Sequence, residues 1–172
     1  MPDTLPTRIE AERVYLRRYE ATDVDWYFAM SQRNRNHLAV FEPDDILMSI
    51  HSLQDAERVL QRLAADWEAR KYFVFGAFDR KSGEFVAQID VGRDPGNREF
   101  GLGYLADCDH QGKGYVTEAV RAVLGFIFEH LQAHRVRVGI DDRNERSLRV
   151  ARRCGMVEEG HFRETQLHAD GT

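Results

Sequence analysis

The chain has 172 residues, a formal net charge of −5 and a pI of about 5.8, so neither its size nor its charge suggests a nucleic-acid partner. Hydrophobic residues make up 42% and charged residues 31%, as in ordinary globular domains, and no apolar run approaches the roughly 20 residues of a membrane span. The N-terminus lacks the pattern of a signal peptide, and two cysteines are too few for a disulfide framework. We therefore expect one domain over residues 1–172 in a cytoplasmic enzyme.

The first part of the chain predicts one strand followed by two helices. Residues 13–18 alternate apolar and charged side chains and predict a strand after a frayed tail. Thr22 and Asp25 have the spacing of a capping box and predict a short helix to about residue 30. Residues 34–50 show a weak pattern that predicts short helical turns. Ser52–Arg70 begins with a second capping signal and keeps helical spacing to its end.

A meander is predicted next. Tyr72–Phe78, Phe85–Val91 and Phe100–Leu105 are β-favouring segments, separated by turns at Lys81–Glu84 and Asp94–Asn97. Three such segments with short turns predict antiparallel pairing.

The last part of the chain contains a glycine-rich loop, Asp109–Gly114. A long amphipathic helix from Val116 to Leu131 follows it, then a strand at Val136–Ile140, a helix from Asn144 to Cys154 and a strand at Val157–Phe162. The predicted order is β-α-α-β-β-β-α-β-α-β. A meander followed by one right-handed parallel crossover is an α+β fold with a mixed sheet.

The loop has the composition of a phosphate cradle. Helix first-turn amides lack internal partners and carry partial positive charge, and glycines let the backbone approach a phosphate closely. Gly112 to Val116 would present those amides, and Lys113 would add a cation. A plain tight turn before a helix is the alternative for the glycines alone. A P-loop is disfavoured because Gly114 follows Lys113, and a dinucleotide fingerprint because Thr117 replaces its third glycine, although Asp141 lies where a ribose-binding acid would.

Two motifs carry a family resemblance. Asp109–Ala119 resembles the acyl-CoA loop of the GNAT acetyltransferases, Q/R-x-x-G-x-G/A, with Gln111 and Gly114 matching and Val116 replacing a usual small residue. Asn144–Ser147, with the Gly155 and Glu159-Gly160 that follow, is similar to the N-x-x-S … G-F … E-G run of the RimJ/RimL branch of ribosomal-protein N-terminal acetyltransferases.

The resemblance implies a fold in which two strands splay apart and the pantetheine arm of acetyl-CoA lies between them. It implies transfer of the acetyl group to a primary amine by direct attack in a ternary complex, by branch default to a protein N-terminal α-amine. Two alternatives remain open: an acyl-CoA-binding module with weak or no catalysis, and acetylation of a small amine such as a polyamine or aminoglycoside. The implied cofactor-binding residues are Tyr104, Leu105, Ala106, Gln111, Gly112, Lys113, Gly114, Tyr115, Val116, Asn144, Ser147 and Arg149, and Arg153 is a further cationic candidate.

The catalytic residues are less clearly indicated. The tyrosine that many family members use as the acid is replaced by Ala151, so the resemblance points to Ser147. The usual base positions hold Gly101 and Gln166, which leaves Glu99, acting through water, as the candidate. A water chain or an acceptor that arrives neutral would make a base unnecessary.

Two other features complete the expectations. His130 and His134 are four residues apart on the long helix, but no third ligand is evident, so no metal is predicted. Branch members continue into one more strand after the position of Thr172; either the sequence is shortened or another protomer completes the sheet, as a homodimer would.

Overall fold

The computed structural model describes residues 4–94 and 98–163, and its centre is one six-stranded sheet. The order of the strands in the sheet is their order in the chain. Neighbours pair antiparallel except for the last two, which pair in parallel. This mixed sheet confirms the predicted α+β fold. The strands are β1 (Arg8–Glu10), β2 (Val14–Arg18), β3 (Tyr72–Asp79), β4 (Phe85–Arg93), β5 (Glu99–Ala106) and β6 (Arg135–Arg137).

Helices cover both faces of the sheet. They are α1 (Val24–Leu38), α2 (Leu53–Glu68), α3 (Tyr115–Glu129) and α4 (Glu145–Arg153), with 3-10 turns at Ala21–Asp23 and Ile46–Ser49. Side chains of β3 alternate between the faces: Val74 and Phe78 pack in the cluster that contains the apolar sides of α1 and α2, while Phe73 and Phe75 pack with α3. Among the described residues, no helix is long and apolar enough to cross a membrane.

Some predicted elements differ from those observed. β1 is only three residues long and lies in the segment for which the sequence predicts a frayed tail. The first capping box joins Glu20 and Asp23, not Thr22 and Asp25, and α1 extends to Leu38. Residues 157–162 form no strand; Val157 and Phe162 are 81% and 80% exposed, because no described segment pairs with them. The 94–97 turn and Gln166 lie partly or wholly outside the described residues.

The sheet opens where β5 and β6 separate. β6 pairs only with Glu99–Gly101, whereas β5 continues to Ala106. β6 is also shorter than the predicted 136–140 strand, and the chain turns from it into α4. Among the described residues, the edge of β5 beyond Gly101 therefore faces a gap, as the resemblance implies.

Candidate active site

The glycine-rich loop adopts a conformation that requires glycine. Gly112 and Gly114 have φ angles of +73° and +82°, in the left-handed region that side chains with a Cβ rarely adopt. Gly114 is the residue before α3, so the loop runs directly into the first helical turn at Tyr115. The amides at this helix terminus lie where the sequence predicts a cradle for an anion.

A buried carboxylate fixes the entry to this loop. Asp107 is 0% exposed and accepts hydrogen bonds from the Arg33 guanidinium at 2.5 Å and the Asn34 amide at 3.0 Å. Burial opposes its charge, but these donors outweigh that effect and hold the pKa of Asp107 below its usual value. Asn34 also accepts from the Cys108 amide at 2.8 Å. Helix α1 thus positions the loop through two polar side chains in the middle of its sequence.

A cavity of about 660 Å³ lies between the end of β5, the loop and the start of α4. Of the predicted cofactor-binding residues, Lys113 alone is not among its lining residues; its ammonium group instead donates to the Asp109 carbonyl at 3.0 Å. The others named in the sequence analysis line the cavity: Tyr104, Leu105, Ala106, Gln111, Gly112, Gly114, Tyr115, Val116, Asn144, Ser147 and Arg149, together with Arg153.

Two hydrogen bonds hold Ser147 on the α4 side of the cavity. Its amide donates to the Asn144 side-chain oxygen at 3.1 Å, so Asn144 caps α4 as predicted. Its carbonyl accepts from the Tyr104 hydroxyl at 2.8 Å, across the gap from β5. The backbone of Ser147 is therefore tied to both walls, which orients its side chain in a partly buried position.

Arginines line the α4 side opposite the glycine loop. Arg146, Arg149 and Arg153 recur at helical spacing on α4, and Arg143 precedes the helix. The Arg146 guanidinium donates to the Gln111 side-chain oxygen and joins α4 to the loop. Only Arg149 and Arg153 were singled out from the sequence, although the 146-149-153 spacing was the signal for a shared face. Glycines, first-turn amides and cations together suit the phosphates of coenzyme A.

The structure does not bring Glu99 to the cavity. Its carboxylate lies at the opposite end of β5, 3.2 Å from Arg137 Nε and 3.6 Å from Arg135 Nε. Through these ion pairs the Glu99 side chain links β5 to β6 where the two strands pair. The geometry therefore does not support the sequence-based choice of base.

Glu42, in the connection after α1, lines the cavity instead. Although the residue as a whole is exposed, partial burial of its carboxyl group and the nearby carboxylates of Asp45 and Asp90 raise the pKa of Glu42 to about 7. Sequence reasoning missed this residue because the 34–50 segment has no periodic pattern, and neither the burial of the carboxyl group nor the approach of Asp90 from β4 can be read from neighbouring residues.

A family model and a curated relative place this chain in the same family. The acetyltransferase (GNAT) domain model matches residues 13–157. Probable N-acetyltransferase YjcK of Bacillus subtilis (strain 168) is 30% identical over 159 residues, which is 91% of this chain and 87% of the relative.

Solved structures share the fold. The ribosomal-protein-S5-alanine acetyltransferase from Vibrio fischeri superposes with a TM-score of 0.84 at 23% identity, covering 95% of this chain and 90% of that one. Mycobacterium smegmatis RimJ in complex with CoA-disulfide superposes with a TM-score of 0.80 at 24% identity, covering 90% and 78%.

Proposed function

Since the chain belongs to the GNAT acetyltransferase family and is an acetyl-CoA-dependent N-acetyltransferase, we propose that it acetylates a protein N-terminal α-amine by direct attack in the cavity between β5 and α4. The observation that carries this proposal is the convergence of the loop, the β5 edge and Ser147 on one cavity. Acetyl-CoA would supply an activated acetyl thioester there. The cysteines are unpaired, which supports a reducing, cytoplasmic location.

Glu42 is the residue that we assign as proton acceptor. An α-ammonium group loses its proton near pH ~8, and a base works best when its own pKa lies near the working pH. The pKa of Glu42, about 7, meets that condition. The side chain lines the cavity from the α1 side, whereas Glu99 is held by arginines elsewhere.

Ser147 is assigned as the hydrogen-bond donor to the sulfur of CoA, which departs as a thiolate. A thiol has a pKa near ~8.5, so the leaving group needs only modest support. The Asn144 and Tyr104 hydrogen bonds fix the serine backbone. Positioning of the two substrates by β5, the loop and α4 would then supply much of the rate acceleration.

The test is an acetyl-transfer assay with the purified full chain. Acetyl-CoA is incubated with N-terminal peptides, a polyamine and an aminoglycoside, while free thiol is measured and products are mapped by mass spectrometry. Thiol release coupled to acetylation of a peptide α-amine supports the proposal. Saturable CoA binding with no release of the CoA thiol in the presence of any acceptor would indicate the binding module, and acetylation confined to small amines would indicate a small-amine acetyltransferase.

A further inference from the structure

A second cavity, of about 530 Å³, adjoins the first on the face of the sheet covered by α1 and α2. Phe41 and Glu42 line both cavities. These two residues, in the connection after α1, are the part of the wall that the cavities have in common. A single acceptor molecule could therefore occupy both spaces.

The lining of this second cavity is strongly acidic. It contains the carboxyl groups of Glu42, Asp44, Asp45 and Asp90, and among its described lining residues Arg62 is the one cationic side chain. Burial raises the pKa of Asp45, and burial together with Asp45 raises the pKa of Asp90 to about 6. Carboxylates so close together destabilise one another unless a cation lies among them.

The sheet is built to accommodate one of these carboxylates. Asp90 projects from β4 over Gly103 of β5, where a Cβ atom would lie 2.4 Å from the Asp90 carboxylate oxygen. Any side chain at position 103 would displace it. The Tyr72 hydroxyl donates a hydrogen bond to Asp90 and orients it.

A buried polar group without a partner lies behind the same wall. The Tyr27 side chain is 0% exposed and its hydroxyl has no hydrogen-bond partner among the described residues. The charged groups whose fields act on this hydroxyl are Asp45, Arg62 and Asp90, all of which line the cavity. An unsatisfied buried hydroxyl costs free energy, and the fields of these three side chains place it close to the cavity wall.

We propose that this second cavity is an acceptor subsite for a second positive charge, so that the preferred acceptor is a primary amine that carries another ammonium or guanidinium group. The inference rests on the proposed acetylation in the adjoining cavity and defines its acceptor. The shared chemistry is a primary amine with at least one further positive charge; a peptide N-terminus followed by lysine and a linear polyamine are its two sources.

The experiment compares acceptors that differ in the second charge. The peptides Ser-Lys-Ala-Ala and Ser-Ala-Ala-Ala, and spermidine against butylamine, are assayed with acetyl-CoA for the wild-type chain, Asp45→Asn, Asp90→Asn and the charge-matched control Glu57→Gln. Asparagine retains the capacity of Asp45 to cap the Ile46–Ser49 turn, and Glu57 is exposed on α2 and lines neither cavity. Spermidine binding is also measured by calorimetry without acetyl-CoA, and CoA affinity reports folding.

We expect the member of at least one pair that carries additional positive charge to have a kcat/KM about tenfold higher, with that ratio falling toward one in Asp45→Asn and Asp90→Asn but not in Glu57→Gln. The pair with the larger ratio identifies the source. Equal kcat/KM within both pairs would overturn the subsite while leaving acetylation intact. Absence of turnover, with spermidine binding weakened about tenfold in the two aspartate variants, would overturn the proposed α-amine acetylation and support the subsite.

Discussion

Arg13 and Glu118, 105 positions apart in the sequence, join the start of β2 to the first turn of α3. The Glu118 carboxylate accepts from the Arg13 amide at 2.6 Å and from its Nε at 2.8 Å, and also from the Val14 amide at 3.2 Å. Burial opposes the charge of this carboxylate, but the Arg13 and Val14 donors outweigh it and keep the pKa of Glu118 below its usual value. Arg13 also donates to the Lys113 carbonyl at 3.0 Å, so the pair fixes the glycine loop at its exit.

Replacing Glu118 with alanine should loosen this loop. Loss of hydrogen bonds to a charged acceptor should lower the free energy of unfolding by about 2 kcal/mol and weaken CoA binding. Urea denaturation and calorimetry measure the two effects. Glu129→Ala, at the exposed end of the same helix, should change stability by less than about 0.5 kcal/mol. Equal effects of the two substitutions would contradict a specific role for Glu118.

Gly114→Val should impair CoA binding through the backbone. A β-branched residue at φ +82° is strained, and its Cβ would lie 3.2 Å from an Arg13 guanidinium nitrogen. Strain of this kind costs about 1–3 kcal/mol, so the Kd for CoA should rise by at least about tenfold. Gly125→Ala, at an unobstructed position within α3, should leave CoA affinity unchanged and increase stability slightly. Unchanged affinity in Gly114→Val would refute the cradle.

Ser147→Ala should lower kcat by about 100-fold without changing the Kd for CoA, because the two hydrogen bonds that hold this residue use only its backbone. Steady-state kinetics and calorimetry separate the two quantities. Ser147→Thr keeps a hydroxyl and should recover part of the rate. Full activity in the alanine variant would remove Ser147 from the reaction.

Glu42→Gln should lower kcat/KM by about 100-fold. In the wild type, kcat/KM should rise as the pH increases through about 7, because the ionised carboxylate is the form that accepts a proton. Burial of the carboxyl group and the nearby carboxylates of Asp45 and Asp90 set this pKa. In Glu42→Gln this rise near pH 7 should disappear.

Glu99→Gln is the matched control, since Glu99 was the base that sequence reasoning favoured. Its carboxylate is paired with Arg135 and Arg137, so we expect little change in kcat/KM or its pH profile. A larger loss in Glu99→Gln than in Glu42→Gln would reverse the assignment.

The free energy of unfolding should also depend on pH near 7, but it should fall where kcat/KM rises. A carboxyl group whose pKa is raised from 4.5 to about 7 binds its proton more tightly in the folded chain, so stability falls as the pH rises through that interval. Glu42→Gln should therefore stabilise the protein by about 1 kcal/mol at pH 8, after allowance for solvent screening, and by nothing at pH 4. Thermal unfolding across this pH range measures the difference.

Local signals in the sequence predicted most of the framework. The glycine-rich loop and the Asn144 cap each depend on only a few consecutive residues. The structure places Gly112, Gly114 and Asn144 as expected. Amphipathic spacing in α2 and α3 likewise depends only on near neighbours.

Features that depend on distant partners were not predictable. The role suggested for Glu42 arises from burial of its carboxyl group and from Asp45 and Asp90, and Asp90 belongs to a strand far along the chain. The 157–162 segment has strand-forming residues, yet forms no strand because pairing needs a neighbour that the described chain does not provide. The partners of Glu99, Arg135 and Arg137, could not be predicted either, because β6 reaches β5 only in the folded chain.

The separation of β5 from β6 also affects how readily the protein aggregates. A strand edge without a neighbouring strand is a template on which other chains can add, and within residues 4–94 and 98–163 such an edge extends from Leu102 to Ala106. A ligand that occupies that edge only in the folded state also raises the melting temperature in proportion to the logarithm of its concentration. The acetyl donor would then act as a protective cover as well as a reactant, and cells short of it would hold an enzyme more prone to aggregate.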